Sequence, residues 1–340
     1  MENSFFVLGE ATPFQQGSLK IQRLQLCTWD IASQNSYIEI GIEVKPGSIP
    51  PNSDYNIYFC APWLNEKCIF TSLHEQFADA GNCKFIFNEV IKYPAPIDED
   101  NRNGTIVTFE DSQRSPLVIT PITAKFLPEG KSLRLSFCNK AKQNEAPYVR
   151  VLIQTTRETL AIVKTGIAKR EFIFDIKINE KRNLPETVLT LKREKELKYA
   201  DIEKVFCFHA VPMSYEIGFI DGKKLKNVRN LEAEAFRKYL PCLQGIKNEN
   251  SIITFSKSEG EGGHAFFTIF TEETIGPSQI ILAISTNIVC SLLFAIGSLR
   301  NSIKQSDPCL LKMIPGEFWA AIVLLIVCFI YFLYHRRRKK

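Results

Sequence analysis

The chain has 340 residues, a formal net charge of +5 and ten cysteines. Of its 42 Lys/Arg and 37 Asp/Glu residues, 8 and 2 lie in residues 279–340, which leaves 34 basic and 35 acidic side chains upstream. This balance gives no indication of a nucleic-acid partner. The cysteines form no CxxC pair and no Cys/His cluster with zinc spacing, so we expect reduced, buried thiols and no cofactor.

Apolar and polar residues alternate with period two in several stretches of the first 275 residues. Such alternation is typical of strands in antiparallel sheets with one face in water. It predicts a mainly β, antiparallel, sandwich-like N-terminal region. The clearest stretches are YIEIGIEV (37–44), SLRLSFC (132–138), YVRVLIQT (148–155), FIFDIKI (172–178) and SYEIGFI (214–220).

Two segments between these strands carry helix signals. In SLHEQFADAG, Ser72 is a candidate N-cap with Glu75 three positions later, and Gly81 is a candidate stop. In NLEAEAFRKYLP, Asn230 is a candidate N-cap and Pro241 a candidate end. Both segments therefore predict short helices with one buried face.

A pattern that resembles a calcium loop lies in EDNRNGTIVTFE, where Glu99, Asn101, Asn103 and Glu110 are the candidate metal ligands. The first position is Glu where Asp is expected, and the flanks are not helical. The alternative is a β-hairpin that turns at Asn103 and Gly104. The sequence leaves both interpretations open.

Two further stretches bring chemically active side chains together. KSEGEGGHAFF offers Glu259, Glu261 and His264. We interpret it as a flexible hairpin loop between the predicted strands SIITF (251–255) and HAFFTIF (264–270), in preference to a catalytic loop. VFCFHAV offers Cys207 and His209. We discount a thiolate–imidazole pair there, on the expectation that neighbouring strand residues point to opposite faces.

The C-terminal region contains two long apolar runs, which predict a transmembrane α-helical hairpin with spans at about 280–299 and 317–334. A short connection with two prolines separates them. The candidate membrane-interface anchors flank the second span: Trp319, Tyr331, Tyr334, Arg336, Arg337, Arg338, Lys339 and Lys340.

The basic tail predicts the orientation of this hairpin. Cationic flanks favour the cytoplasmic side, so both termini are expected in the cytoplasm. The N-terminus has no apolar core of signal-peptide length, which agrees with this orientation. The protein is therefore predicted to be an integral membrane protein, with the lipid bilayer as a partner; the bacterial inner membrane and the endoplasmic reticulum are not distinguished.

The first span carries a stripe of small and hydrogen-bonding residues at helical spacing: Asn287, Ser291, Ala295 and Ser298. Such stripes let transmembrane helices pack closely, so we expect a homo-oligomer through this span. The alternatives are packing on the second span, or hydroxyl groups that bond to their own helix.

The predicted organisation has three parts: a β-sandwich-like domain over 1–180, a small α+β domain over 181–276, and the hairpin with its basic tail over 277–340. Three functions remain open. The first is a membrane-anchored cytosolic recognition or sensor protein for an unknown protein or small ligand. The second is a membrane-perturbing or pore-forming effector. The third is a membrane-bound enzyme, which the absence of a legible catalytic motif disfavours.

Overall fold

The computed structural model describes residues 4–10, 17–30, 35–98, 103–111, 113–156, 160–166, 168–182, 184–231, 233–240, 251–260, 262–274, 277–303, 319, 322–323 and 326. The chain is mostly β. The strands are β1 (Ser4–Gly9), β2 (Lys20–Trp29), β3 (Asn35–Val44), β4 (Asp54–Cys60), β5 (Ile69–Ser72), β6 (Ala95–Pro96), β7 (Thr105–Val107), β8 (Leu117–Ile119), β9 (Thr123–Leu127), β10 (Ser132–Cys138), β11 (Ala146–Thr156), β12 (Ile162–Thr165), β13 (Lys169–Ile178), β14 (Lys198–Tyr199), β15 (Asp201–Ile202), β16 (Lys204–Pro212), β17 (Tyr215–Ile220), β18 (Leu225–Leu231), β19 (Ser251–Glu259) and β20 (His264–Glu273).

Helices occupy a smaller part of the described chain. The α-helices are α1 (Ala80–Phe87), α2 (Glu186–Glu194), α3 (Ala233–Tyr239) and α4 (Pro277–Ile303), and 3₁₀ helices occur at His74–Ala78 and Glu129–Lys131.

The strands form two mixed sheets. The smaller sheet has the order β17-β20-β13-β1-β4-β10-β9, with β12 beside β13 and β14 beside β1. The larger has the order β18-β19-β16-β2-β3-β11-β8-β7-β6, with β15 beside β2 and β5 beside β11. The pairs β1–β13, β2–β16 and β8–β11 are parallel. The predicted antiparallel arrangement is therefore wrong, because alternation reports which residues share a face and carries no information on the direction of the neighbouring strand.

The main core contains residues from both sheets. Ile38, Ile40 and Ile42 of the larger sheet belong to the same buried cluster as Phe172 and Phe174 of the smaller one. These residues are alternate positions of two strands whose period-two pattern is visible in the sequence. The pattern therefore identifies the inner faces of both sheets.

Helices cover the outer faces of both sheets. Over the larger sheet, a second apolar cluster contains Phe77 of the 3₁₀ helix, Phe87 of α1 and Phe236 of α3. Over the smaller sheet, Val188 and Leu191 of α2 pack on residues of β1 and β4. Outer faces that alternation alone would assign to water are therefore buried over part of their area.

The predicted helices begin later than their sequence signals indicate. The 3₁₀ helix has no side-chain cap, and Asp79 is the N-cap of α1, where its carboxylate accepts a hydrogen bond from the Asn82 N–H at 3.0 Å. Ser72 instead accepts a hydrogen bond from the Ile122 N–H at 3.3 Å. Gly81, the predicted stop, lies inside α1, and α3 begins at Ala233.

The described chain divides into two compact units. The larger contains Met1–Thr165 and Arg170–Glu272, and the smaller contains Gly166–Lys169 and Glu273–Lys340. The predicted boundary near residue 180 falls inside the larger unit, where β1 pairs with β14 and β2 pairs with β16 across it. Separate folding of residues 1–180 and 181–276 stays a prediction.

Within the described residues, no helix combines the length and the apolar character needed to span a bilayer. Helix α4 covers the first predicted span, 280–299, and the second, 317–334, lies almost wholly outside the described residues. The predicted transmembrane hairpin is contradicted by this finding. So are the interpretations that depended on it: the membrane-anchored sensor, the membrane-perturbing effector and the integral-membrane localisation.

Candidate functional site

A cavity of about 540 Å³ lies on the outer face of the larger sheet. Side chains of β2, β16 and β19 form its floor. The C-terminal part of α1 and the edge strand β18 contribute its walls. Its volume is within the range of about 300–1,000 Å³ that is usual for small-molecule sites.

Three phenylalanines form a row along the cavity floor. Phe255 of β19 stacks on Phe208 at 4.8 Å between ring centroids and on Phe206 at 5.8 Å, with interplanar angles of 8° and 26°. All three side chains are only half-buried and line the cavity. A ligand that covers partly exposed apolar rings removes them from water, which lowers the free energy. This row is therefore suited to binding a ligand.

A buried polar network lies beside this row. Arg150 of β11 forms an ion pair with Glu39 of β3, and its terminal nitrogen donates to Gln25 Oε1 at 2.5 Å and to the Tyr148 hydroxyl at 2.5 Å. The Tyr148 hydroxyl itself donates to Gln25 Oε1 at 2.7 Å. Burial raises the pKa of Tyr148 to about 12, so its hydroxyl is neutral and can donate this bond.

Glu39 also connects the sheet to the helix above it. Its carboxylate accepts hydrogen bonds from Trp29 Nε1 at 2.9 Å and from the Tyr239 hydroxyl of α3. Burial raises the pKa of Tyr239 well above its usual value. Glu39 therefore holds three donors in the protein interior, one of them charged, and a buried carboxylate needs such compensation.

Gly41 makes room for this network. A Cβ atom at this position would lie 2.5 Å from the Tyr148 hydroxyl and 2.8 Å from an Arg150 terminal nitrogen. The glycine in YIEIGIEV, which the alternation alone assigns to the polar face, is therefore required by the close approach of the side chains on the neighbouring strand β11.

A second cluster of charges borders the cavity. Arg114 forms a bidentate pair with Glu43, at 3.2 and 3.1 Å, and also contacts Glu89 at 2.9 Å. Arg23 contacts Glu89 at 2.9 Å. The longest contact of the cluster, between Arg23 and Glu43, is 3.8 Å. Each carboxylate therefore contacts both arginines, and the two positive and two negative charges neutralise each other.

Cys27 is the thiol that lines the cavity floor. It is 4% exposed, and burial and the nearby Glu39 carboxylate raise its pKa well above the usual value. A thiol with a raised pKa is a poor nucleophile, since the thiolate is the reactive form. The cavity floor is therefore suited to binding, and Cys27 is not a nucleophile for it.

Cys207 and His209 lie on one face of β16, as the period-two alternation of VFCFHAV indicates. The argument that they point to opposite faces is wrong, because residues two positions apart in a strand share a face. The Cys207 Sγ is 3.6 Å from His209 Nε2, and His209 Nδ1 is 2.7 Å from the Thr28 hydroxyl. Burial lowers the His209 pKa to about 3 and raises that of the thiol. Both groups are neutral members of the inter-sheet core.

His264 is the first residue of β20, as predicted for the strand HAFFTIF. It is 3% exposed, and its ring nitrogens contact the Ser258 hydroxyl at 3.0 Å and the Ile202 carbonyl at 3.3 Å. Glu259 ends β19 and contacts Lys257 at 2.6 Å. Glu261 lies outside the described residues.

The calcium-like pattern is described only in part, because Glu99 and Asn101 lie outside the described residues. The Asn103 amide donates to Asp98, and the Glu110 N–H donates to the Val90 carbonyl at 3.0 Å. Strands β6 and β7 pair antiparallel, with Ala95 opposite Ile106 and Pro96 opposite Thr105. Among the described residues no group of three or more His, Cys, Asp or Glu could hold a metal, and the calcium site stays an untested prediction.

The predicted packing stripe lies on α4. Asn287, Ser291 and Ala295 are exposed, and the Ser291 hydroxyl donates to the Asn287 carbonyl at 2.8 Å, so it bonds its own helix. The side chain of Ser298 is outside the described residues, and association through the stripe remains a prediction. Trp319 is exposed. The remaining predicted interface residues lie outside the described part: Tyr331, Tyr334, Arg336, Arg337, Arg338, Lys339 and Lys340.

No protein-family model matches the chain, and the comparison with curated proteins also finds no match. Among solved structures, the chain has 8% identity and a TM-score of 0.25 to a Parabacteroides distasonis protein that carries a provisional description as a protease. The match covers 88% of this chain and 52% of that one, so the chain spans about half the length of that structure. A TM-score this low supports no argument about fold or activity.

Proposed function

We propose that the chain is a binding protein whose site is the cavity over β2, β16 and β19. Its ligand is a small organic molecule with an apolar, ring-bearing body. The single observation that carries the proposal is the half-buried row of Phe206, Phe208 and Phe255 in a cavity of ligand size. Small-molecule sites are lined predominantly by hydrophobic and aromatic side chains such as these.

The buried network beneath the cavity supports binding in preference to catalysis. Arg150, Glu39 and Tyr148 form hydrogen bonds with each other and with Gln25, Trp29 and Tyr239, so they hold the floor strands in one arrangement. A floor that is organised before the ligand arrives loses less conformational entropy on binding. Rigid floor strands with exposed rings are therefore what a receptor for a small ligand requires.

The test uses the full-length chain and N-phenylnaphthylamine, an uncharged dye whose fluorescence rises in apolar sites. The variant Phe255→Ala loses a ring contact with the dye that is worth about 1–3 kcal/mol. The affinity for the dye should therefore fall roughly 5- to 150-fold. Phe219→Ala is the matched control, since Phe219 is also a partly exposed strand phenylalanine but lies on β17 of the smaller sheet.

Two results would overturn the proposal. The first is a dye affinity that Phe255→Ala leaves unchanged. The second is an equal loss in the Phe219→Ala control, which would show that the dye reports general exposure of apolar surface. Far-ultraviolet circular dichroism of both variants checks that each retains its strands.

A further inference from the structure

The walls of the cavity carry cations that form no direct ion pair among the described residues. Lys226 and Arg229 of β18, and Lys84 of α1, are exposed and line the cavity. Within the described part of the chain, none of the three forms an ion pair; Arg229 donates instead to the Asn88 amide oxygen at 3.1 Å. These side chains can therefore turn towards a ligand without breaking an ion pair.

The acidic groups in the cavity do not neutralise these cations. Two carboxylates line it, and both already have cationic partners. Glu39 is held by Arg150, and Glu89 is held by Arg23 at 2.9 Å and by Arg114 at 2.9 Å. Glu259, which does not line the cavity, attracts Lys226 electrostatically but is already in contact with Lys257 at 2.6 Å and Lys204 at 3.9 Å. The wall therefore keeps a positive surplus over an apolar floor, and such a low-dielectric surface strengthens attraction for an anion.

The positive charges and the rings lie next to each other. Lys226 and Arg229 lie within two residues of Asn227, which pairs with Phe255 across β18 and β19. The ion-paired Arg23 and Lys257 also lie near the row, at 5.9 Å and 5.7 Å from the Phe206 centroid. On this basis we infer that the ligand is an aromatic anion. One or two rings contact the phenylalanine row, and a carboxylate, sulfonate or phosphate group meets Lys226 and Arg229. This inference rests on the proposed function, because it concerns the same cavity.

Two dyes that differ by one anionic group test the inference on the full-length chain. They are anilinonaphthalene sulfonate and the uncharged N-phenylnaphthylamine. The variant Lys226→Gln/Arg229→Gln removes the two wall cations and leaves the floor intact. The sulfonate dye should lose about tenfold in affinity, more at low salt than at high salt, and the uncharged dye should change by less than about twofold.

A matched control keeps the change in net charge the same. Lys192→Gln/Arg193→Gln also removes one lysine and one arginine, but on α2 over the other sheet, where Arg193 is largely exposed. It should leave both dyes unchanged.

The outcomes separate the inference from the proposed function. An unchanged affinity for the sulfonate dye in Lys226→Gln/Arg229→Gln, or equal losses for the two dyes, overturns the aromatic anion as ligand. The proposed function is unaffected by that result if Phe255→Ala still weakens the binding of both dyes by about 5- to 150-fold. Insensitivity of both dyes to Phe255→Ala overturns the cavity itself. The inference is also overturned if Lys192→Gln/Arg193→Gln on α2 weakens the binding of the sulfonate dye as much as Lys226→Gln/Arg229→Gln does. The loss would then follow from the change in net charge alone.

Discussion

Replacing Arg150 by methionine tests how far the buried ion pair of the larger sheet stabilises the fold. Arg150 is 4% exposed and its partner Glu39 is 0% exposed. The substitution keeps most of the side-chain volume but leaves the carboxylate with only the Trp29 and Tyr239 donors. Because the remaining buried charge loses its counter-ion, we expect a loss of about 3–5 kcal/mol in the free energy of unfolding.

The second half of the test removes both charges. In Glu39→Gln/Arg150→Met no charge is left unpaired, so the loss should be well below the sum of the two single losses, with a coupling of about 2–3 kcal/mol. The exposed pair Glu186–Arg193 is the matched control. It is also an arginine–glutamate ion pair, at 2.9 Å, but its side chains are 75% and 72% exposed, and Arg193→Met should cost less than about 1 kcal/mol.

The measurement is urea unfolding of the full-length chain at neutral pH, followed by tryptophan fluorescence, because Trp29 contacts Glu39 directly. The four proteins of the cycle are compared at one salt concentration. Additive losses, or a loss for Arg150→Met no larger than that of Arg193→Met, would show that water reaches the pair, and would refute the account of a sealed network beneath the cavity.

Two further changes probe the same face and the core. Gly41→Ala would place a Cβ 2.5 Å from the Tyr148 hydroxyl and should lower the free energy of unfolding in urea by about 1–3 kcal/mol. In the control Gly222→Ala the added Cβ meets nothing within 4 Å, so the free energy of unfolding should change little. Equal losses in the two variants would contradict the close approach at Gly41. Burial lowers the His209 pKa from 6.5 to about 3. The contribution of the neutral imidazole to the free energy of unfolding is therefore complete above pH 6.5. It falls by up to about 1.4 kcal/mol per pH unit as the pH is lowered, because the unfolded chain then binds a proton that the folded chain does not. His209→Gln should flatten the dependence of the urea midpoint on pH between 6.5 and 5, and an unaltered slope would contradict a neutral buried imidazole.

The inner faces of the sheets could be predicted from the sequence because burial there follows strand geometry alone. Successive side chains of a strand point to opposite faces, so Ile38, Ile40 and Ile42 are found in the core as their spacing indicates. The helix signals were less exact. Asp79 caps α1, and the Ser72 signal is used elsewhere, because a capping side chain is chosen by the tertiary contacts that compete for it.

The outer face of the larger sheet could not be predicted in this way. Glu39, Gly41 and Glu43 alternate with the isoleucines and on that pattern should face water, yet both glutamates are buried. Their burial depends on α1, α3 and Arg114, which the chain supplies far away; Tyr239, which donates to Glu39, is 200 residues along the chain. No local pattern reports which distant segment covers a face.

The sequence by itself therefore determined where strands form and which of their residues face the main core, since both follow from a local period of two. The tertiary structure decided the direction of neighbouring strands, the parallel pairing of β2 with β16, and the conversion of a polar strand face into a buried network beside a cavity. These depend on contacts between residues that lie 100 to 200 positions apart, such as Arg150 with Glu39 and Tyr239 with Glu39. Such contacts form only when the sheets and the helices that cover them have assembled.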